Sequence, residues 1–86
     1  MNEYGEYEIY ARSVLKNLSR SKEGAGRTVL FNLLFTKIND EDKTEVVLSK
    51  LLQMLLNDGY LIQKKDANYV FRSPLLRDFW YNRFVK

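Results

Sequence analysis

Eighty-six residues, 45 % hydrophobic and 14 % aromatic, suffice for one domain and not for two. With no cysteine and no histidine, the chain has no disulfide, no thiol nucleophile, no thiolate or imidazole metal ligand, and none of the side chains best suited to proton transfer near neutrality. The net charge of +3 is unevenly spread, since residues 1–45 hold seven basic and eight acidic groups and residues 46–86 hold seven and three.

Between Tyr7 and Leu18 the apolar residues Tyr7, Tyr10, Ala11, Val14, Leu15 and Leu18 follow the i, i+3, i+4, i+7 spacing of one helical face and predict the first helix. Ser19 to Gly26 has two serines, two glycines and no apolar period, so a loop follows, with residues 1–5 and 20–27 expected to be flexible. Its glycines do not form a phosphate loop, because no Gly-Lys-Ser/Thr follows and a helix, not a strand, precedes. Thr28 is a suitable N-cap for a second helix from Val29 to about Ile38, with Leu30, Leu33, Leu34 and Ile38 inward; Val29-Leu30-Phe31 equally suits a short strand.

Asn39-Asp40-Glu41-Asp42 is an acidic turn and helix start, where carboxylates meet unpaired N–H groups and the positive end of the helix dipole. In the third helix Val47, Leu48, Leu51, Leu52, Met54, Leu55 and Leu56 span roughly 200° of arc, leaving Ser49, Lys50, Gln53 and Asn57 as a narrow polar stripe. Such a helix must be packed on two sides. Gly59 fits a left-handed helix end, and Tyr60 to Gln63 and Tyr69-Val70-Phe71 read as two strands joined by the polar turn Lys64-Lys65-Asp66-Ala67-Asn68. Ser73-Pro74 restarts a helix, with serine at the N-cap and proline at the first helical position, and Leu75, Leu76, Phe79, Trp80 and Phe84 are expected as its apolar face.

The order helix, helix, helix, hairpin, helix gives a mainly α fold with a small β-hairpin, the layout of a winged helix-turn-helix. Two surfaces of such a fold deserve comparison. A DNA-reading third helix would begin Asp40-Glu41-Asp42-Lys43-Thr44-Glu45, and four carboxylates in six residues oppose a phosphate polyanion. The basic residues left for nucleic acid are Lys43 and Lys50 on the helix, with Lys64, Lys65 and Arg72 on and after the hairpin. The C-terminal segment offers a partner surface of Arg77, Trp80, Tyr81, Arg83 and Phe84, rich in the residue types of interface hot spots, although closing the core explains its aromatic residues as well. Tyr81 is expected to be partly exposed.

The helix Leu48-Ser49-Lys50-Leu51-Leu52-Gln53-Met54-Leu55, the turn Asp58-Gly59-Tyr60-Leu61 and the junction Tyr69-Val70-Phe71-Arg72-Ser73-Pro74-Leu75-Leu76-Arg77-Asp78-Phe79-Trp80 belong to a stretch, about Val29 to Phe84, that resembles the C-terminal winged-helix domain of bacterial and archaeal AAA/STAND-type P-loop ATPases. No Walker motif is present, so the resemblance implies a domain of a longer ATPase, with ATP bound by the part this chain lacks and none of the ATPase residues falling on a position here. It implies a regulatory or interaction role against the ATPase domain of the parent chain or another protein. The sequence thus predicts a non-catalytic, cofactor-free interaction module in the cytoplasm, with a free-standing winged-helix DNA-binding regulator as the alternative. No stretch approaches the ~18 apolar residues of a membrane span, and no membrane partner is expected.

Overall fold

The computed structural model describes residues 2–85, with side chains from Tyr4 to Val85. After a 3-10 segment, Asn2–Tyr7, kinked at Gly5, the chain forms helix α1 (Glu8–Ser19), α2 (Arg27–Ile38) and α3 (Glu41–Asn57). Strands β1 (Leu61–Gln63) and β2 (Tyr69–Phe71) follow, then α4 (Pro74–Trp80), which continues as a π-turn over Tyr81–Val85. The described fold is mainly helical with one small antiparallel hairpin, as the residue pattern predicts.

Helix α3 packs against α1, α2 and β1. Its two-sided packing follows from its wide apolar arc: Val47, Leu48, Leu51, Leu52 and Leu55 are buried, Met54 and Leu56 are partly so, and Ser49, Lys50, Gln53 and Asn57 form the exposed stripe. The Asp40 carboxylate accepts the Lys43 N–H at 3.0 Å, capping the first turn. At the other end Tyr60 N–H reaches the Leu55 carbonyl (3.0 Å) and Gly59 N–H the Leu56 carbonyl (3.2 Å), a Schellman closure that needs the left-handed φ of +83° at Gly59.

The hairpin pairs Leu61 with Phe71, Ile62 with Val70 and Gln63 with Tyr69. On its far side Ala25 joins Tyr69 in an isolated antiparallel bridge, so the segment between α1 and α2 is tied to β2 by two backbone hydrogen bonds. Gly24 makes this approach possible: a Cβ there would lie 2.1 Å from the Tyr69 carbonyl oxygen, and its φ is +78°.

Two local expectations change. The N-cap of α2 is Gly26, in extended conformation, and not Thr28, which lies exposed in the first turn; pairing Ala25 with β2 starts the helix two residues early. Val29-Leu30-Phe31 lies in α2, as the helix expected from Val29 to about Ile38 has it, and the strand-like pairing falls on Ala25 instead. Leu75 and Phe79, placed by the helical wheel on the apolar face of α4, are 81 % and 55 % exposed. The cause is that α4 lies on α1 and β2 with one side only, and Trp80 with the partly buried Leu76 fills that contact.

Tyr4 has no place in the helical pattern yet is buried, and its hydroxyl donates to Asp58 Oδ2 at 2.7 Å, linking the start of the chain to the end of α3.

Candidate interaction surface

The C-terminal aromatic residues divide between core and surface. Trp80 is only 6 % exposed and lies 4.4 Å, centroid to centroid, from the Phe84 ring, which the Arg12 and Arg83 guanidinium groups approach at 5.6 and 5.7 Å. Trp80 therefore belongs to the core, and Phe84 is a half-buried platform beneath two cations. Arg77 is also largely covered and contacts Asp78 at 3.4 Å. Of the five predicted partner-surface residues, Tyr81 and Arg83 are the exposed ones.

Leu75 and Phe79 complete the exposed side of α4. One turn apart on the helix, they form an apolar ridge facing solvent, with exposed Arg72 preceding it and Arg83 following at the next turn. The signal for this ridge is in the sequence: on a helix with i, i+4 spacing, Leu75 and Phe79 point away from the direction shared by Trp80 and Leu76. Reading all apolar residues of a short helix as one face hides it.

The basic residues proposed for nucleic acid do not gather at one place. Lys43 borders a groove of about 280 Å³ with Glu6, Tyr7, Tyr10 and Val46, between the start of α1 and the start of α3. Lys50 lies on the exposed stripe of α3. Lys64 is shared by Asp66 (3.6 Å) and Glu23 (3.9 Å), so its charge is largely committed within the chain. Lys65 is exposed at the hairpin tip, and exposed Arg72 sends its backbone N–H to the Tyr60 carbonyl at 2.9 Å.

The acidic beginning of α3 is exposed at Asp40, Glu41 and Asp42, as the sequence predicts. Glu45 differs, because Arg27 at the start of α2 forms an ion pair with it and also donates to Ser49 Oγ at 2.8 Å. No periodicity announces this pair, which follows only once α2 and α3 are packed. At the hairpin tip, the Asn68 backbone N–H (3.0 Å) and then the Lys64 ammonium hold the Asp66 carboxyl below the usual aspartate range.

Among the described residues, no group of three or more Asp, Glu, His or Cys side chains is placed to hold a metal ion, and no helix is long and apolar enough to cross a membrane. No protein-family model, curated protein or solved structure matches this chain.

Proposed function

We propose that this chain is a winged-helix domain that acts as a non-catalytic protein-interaction module, of the kind found at the C-terminus of AAA/STAND-type P-loop ATPases. The observation that carries the interaction reading is the exposed Leu75–Phe79 ridge, on a helix anchored to the core by buried Trp80. A rigid helix presenting large apolar groups between cations is the form of an interface hot spot. Support for the winged-helix reading comes from the element order and from the Ala25–Tyr69 bridge, which adds a third, one-residue strand to the hairpin from between the first two helices. The ATPase origin rests on the sequence resemblance alone. Nucleotide hydrolysis, in that reading, belongs to another part of the parent protein.

The rival reading, a DNA-binding regulator, draws on one feature: the Arg27–Glu45 pair removes one carboxylate from the α3 face, next to the polar stripe of Ser49, Lys50, Gln53 and Asn57. Asp40, Glu41 and Asp42 still stand exposed at the start of that helix. Titration of a DNA duplex at about 50 and 200 mM salt separates the two readings. The interaction module shows no micromolar binding at either concentration. Micromolar binding that falls steeply with salt, with the exposed stripe of α3 perturbed, overturns it in favour of the regulator.

A further inference from the structure

A second feature of α4 lies away from its apolar ridge. Where the chain leaves α1 it turns back against α4, and the two enclose a shallow cleft of about 210 Å³. Arg20 and Lys22 come from the turn, Arg77 and Asp78 from α4. These are three cations against one carboxylate, a local charge of +2. Arg77 contacts Asp78, while Arg20 and Lys22 form no ion pair among the described residues.

Two further hydroxyls of the cleft can donate, while that of Ser19 is already given to the Lys16 carbonyl at 2.8 Å. Ser21 Oγ accepts the Glu23 N–H at 3.1 Å, which leaves its own O–H to donate, and the Tyr81 hydroxyl, on an exposed side chain, has no hydrogen bond among the described residues. At the carbonyl end of α1, which would repel an anion, two terminal carbonyls are engaged by backbone donors: Arg20 N–H bonds Asn17 O and Ser21 N–H bonds Leu18 O, both at 3.3 Å. An acceptor of about two negative charges would complement this charge and these donors.

A phosphate monoester supplies that, with a charge of roughly −1.5 to −2 at neutral pH and three acceptor oxygens. Arginine forks match its oxygens in pairs. A carboxylate, or a phosphodiester within a nucleic-acid backbone, brings a single charge and balances only half of the cleft. We propose that the cleft between the end of α1 and α4 is a binding site for a phosphate monoester, with Arg20, Lys22 and Arg77 supplying charge and Ser21 and Tyr81 supplying hydroxyl donors. The site does not depend on what covers the Leu75–Phe79 ridge. The phosphate belongs either to a small metabolite or to a phosphorylated side chain.

The test follows backbone amide shifts of the whole chain during titration with glycerol phosphate. Saturable shifts confined to residues 19–22 and 77–81, with a Kd on the order of 1 mM, are expected. The double variant Arg20→Gln/Lys22→Gln, both positions being exposed, keeps the fold as read by its amide spectrum and binds at least about tenfold more weakly. Lowering the pH from about 7.5 to about 5 protonates the ester, whose second pKa is about 6, and weakens its binding while leaving that of sulfate unchanged. The charged groups facing the ligand are Arg20, Lys22, Arg77 and Asp78, and no histidine exists to titrate in that range.

Tighter binding of a phosphoserine peptide than of glycerol phosphate assigns the ligand to a modified protein, and equal binding assigns it to a metabolite; both support the site. Absence of saturable shifts, binding unchanged in the double variant, an equal pH response of phosphate and sulfate, or preference for an oligonucleotide without terminal phosphate overturns it.

Discussion

Ala25 and Tyr69 exchange both of their backbone hydrogen bonds, Ala25 N–H to Tyr69 O at 3.1 Å and Tyr69 N–H to Ala25 O at 2.8 Å, and so fasten the connection between α1 and α2 to the hairpin. Residues 44 apart in sequence become neighbours in a sheet. Gly24 carries this junction, since any side chain there would run into the Tyr69 carbonyl and the Val70 side chain. Gly24→Ala is expected to destabilise the domain by at least about 2 kcal/mol, through steric overlap and a φ of +78° that alanine resists. Urea denaturation of the two proteins checks it.

Leucines of similar sequence context should behave in opposite ways. Leu51 and Leu55 are fully buried in α3, and replacing either with alanine is expected to cost about 2 to 5 kcal/mol, a large share of the stability of a domain this small. Leu75→Ala removes an exposed side chain and should change stability by no more than about 0.5 kcal/mol. Thermal or chemical unfolding of the three variants reads the difference directly.

The hairpin turn contains an improvable position. Ala67 has a φ of +73°, a left-handed conformation that costs an alanine roughly 1 to 2 kcal/mol. Glycine takes it without that penalty but loses more backbone entropy on folding. Ala67→Gly is therefore expected to stabilise the domain by about 0.5 to 1 kcal/mol, seen as a higher denaturation midpoint with unchanged slope.

Asp66 links the same turn to pH. The Asn68 N–H and the Lys64 ammonium lower its carboxyl pKa in the folded chain, so the folded state favours the ionised form. That contribution is fully present above the unfolded value of about 3.9 and is lost as the pH falls through the lower folded value. Asp66→Asn should be less stable than the parent at neutral pH, with the difference closing as the pH falls through the lowered folded-state pKa. Unfolding curves of both proteins across this range measure it.

Much of the backbone was legible in the residue order because the signals were local. Ser73-Pro74 starts α4 where expected, with Ser73 Oγ accepting the Leu75 N–H at 3.2 Å; Gly59 ends α3; and Tyr69-Val70-Phe71 is β2. The wide apolar arc of α3 announced its packing on two sides. Contacts that join distant parts of the chain were not legible. Tyr4 to Asp58 and Arg27 to Glu45 pair residues whose types suit ordinary surface positions, and the Ala25 bridge is a backbone interaction that leaves only a glycine as its mark. The exposed ridge of α4 was hidden for a different reason. Leu75 and Phe79 are hydrophobic, and hydrophobicity alone does not tell a core face from a partner face.

The central claim, that the domain meets a protein through the exposed side of α4, is tested most directly by photo-crosslinking. A photoreactive phenylalanine analogue is placed at Phe79 in one protein and at Gln53, on the exposed stripe of α3, in another, and both are expressed in the native cells. A discrete protein adduct from position 79 and none from position 53 is the predicted result. Adducts with DNA from position 53, with none to protein from position 79, would contradict it.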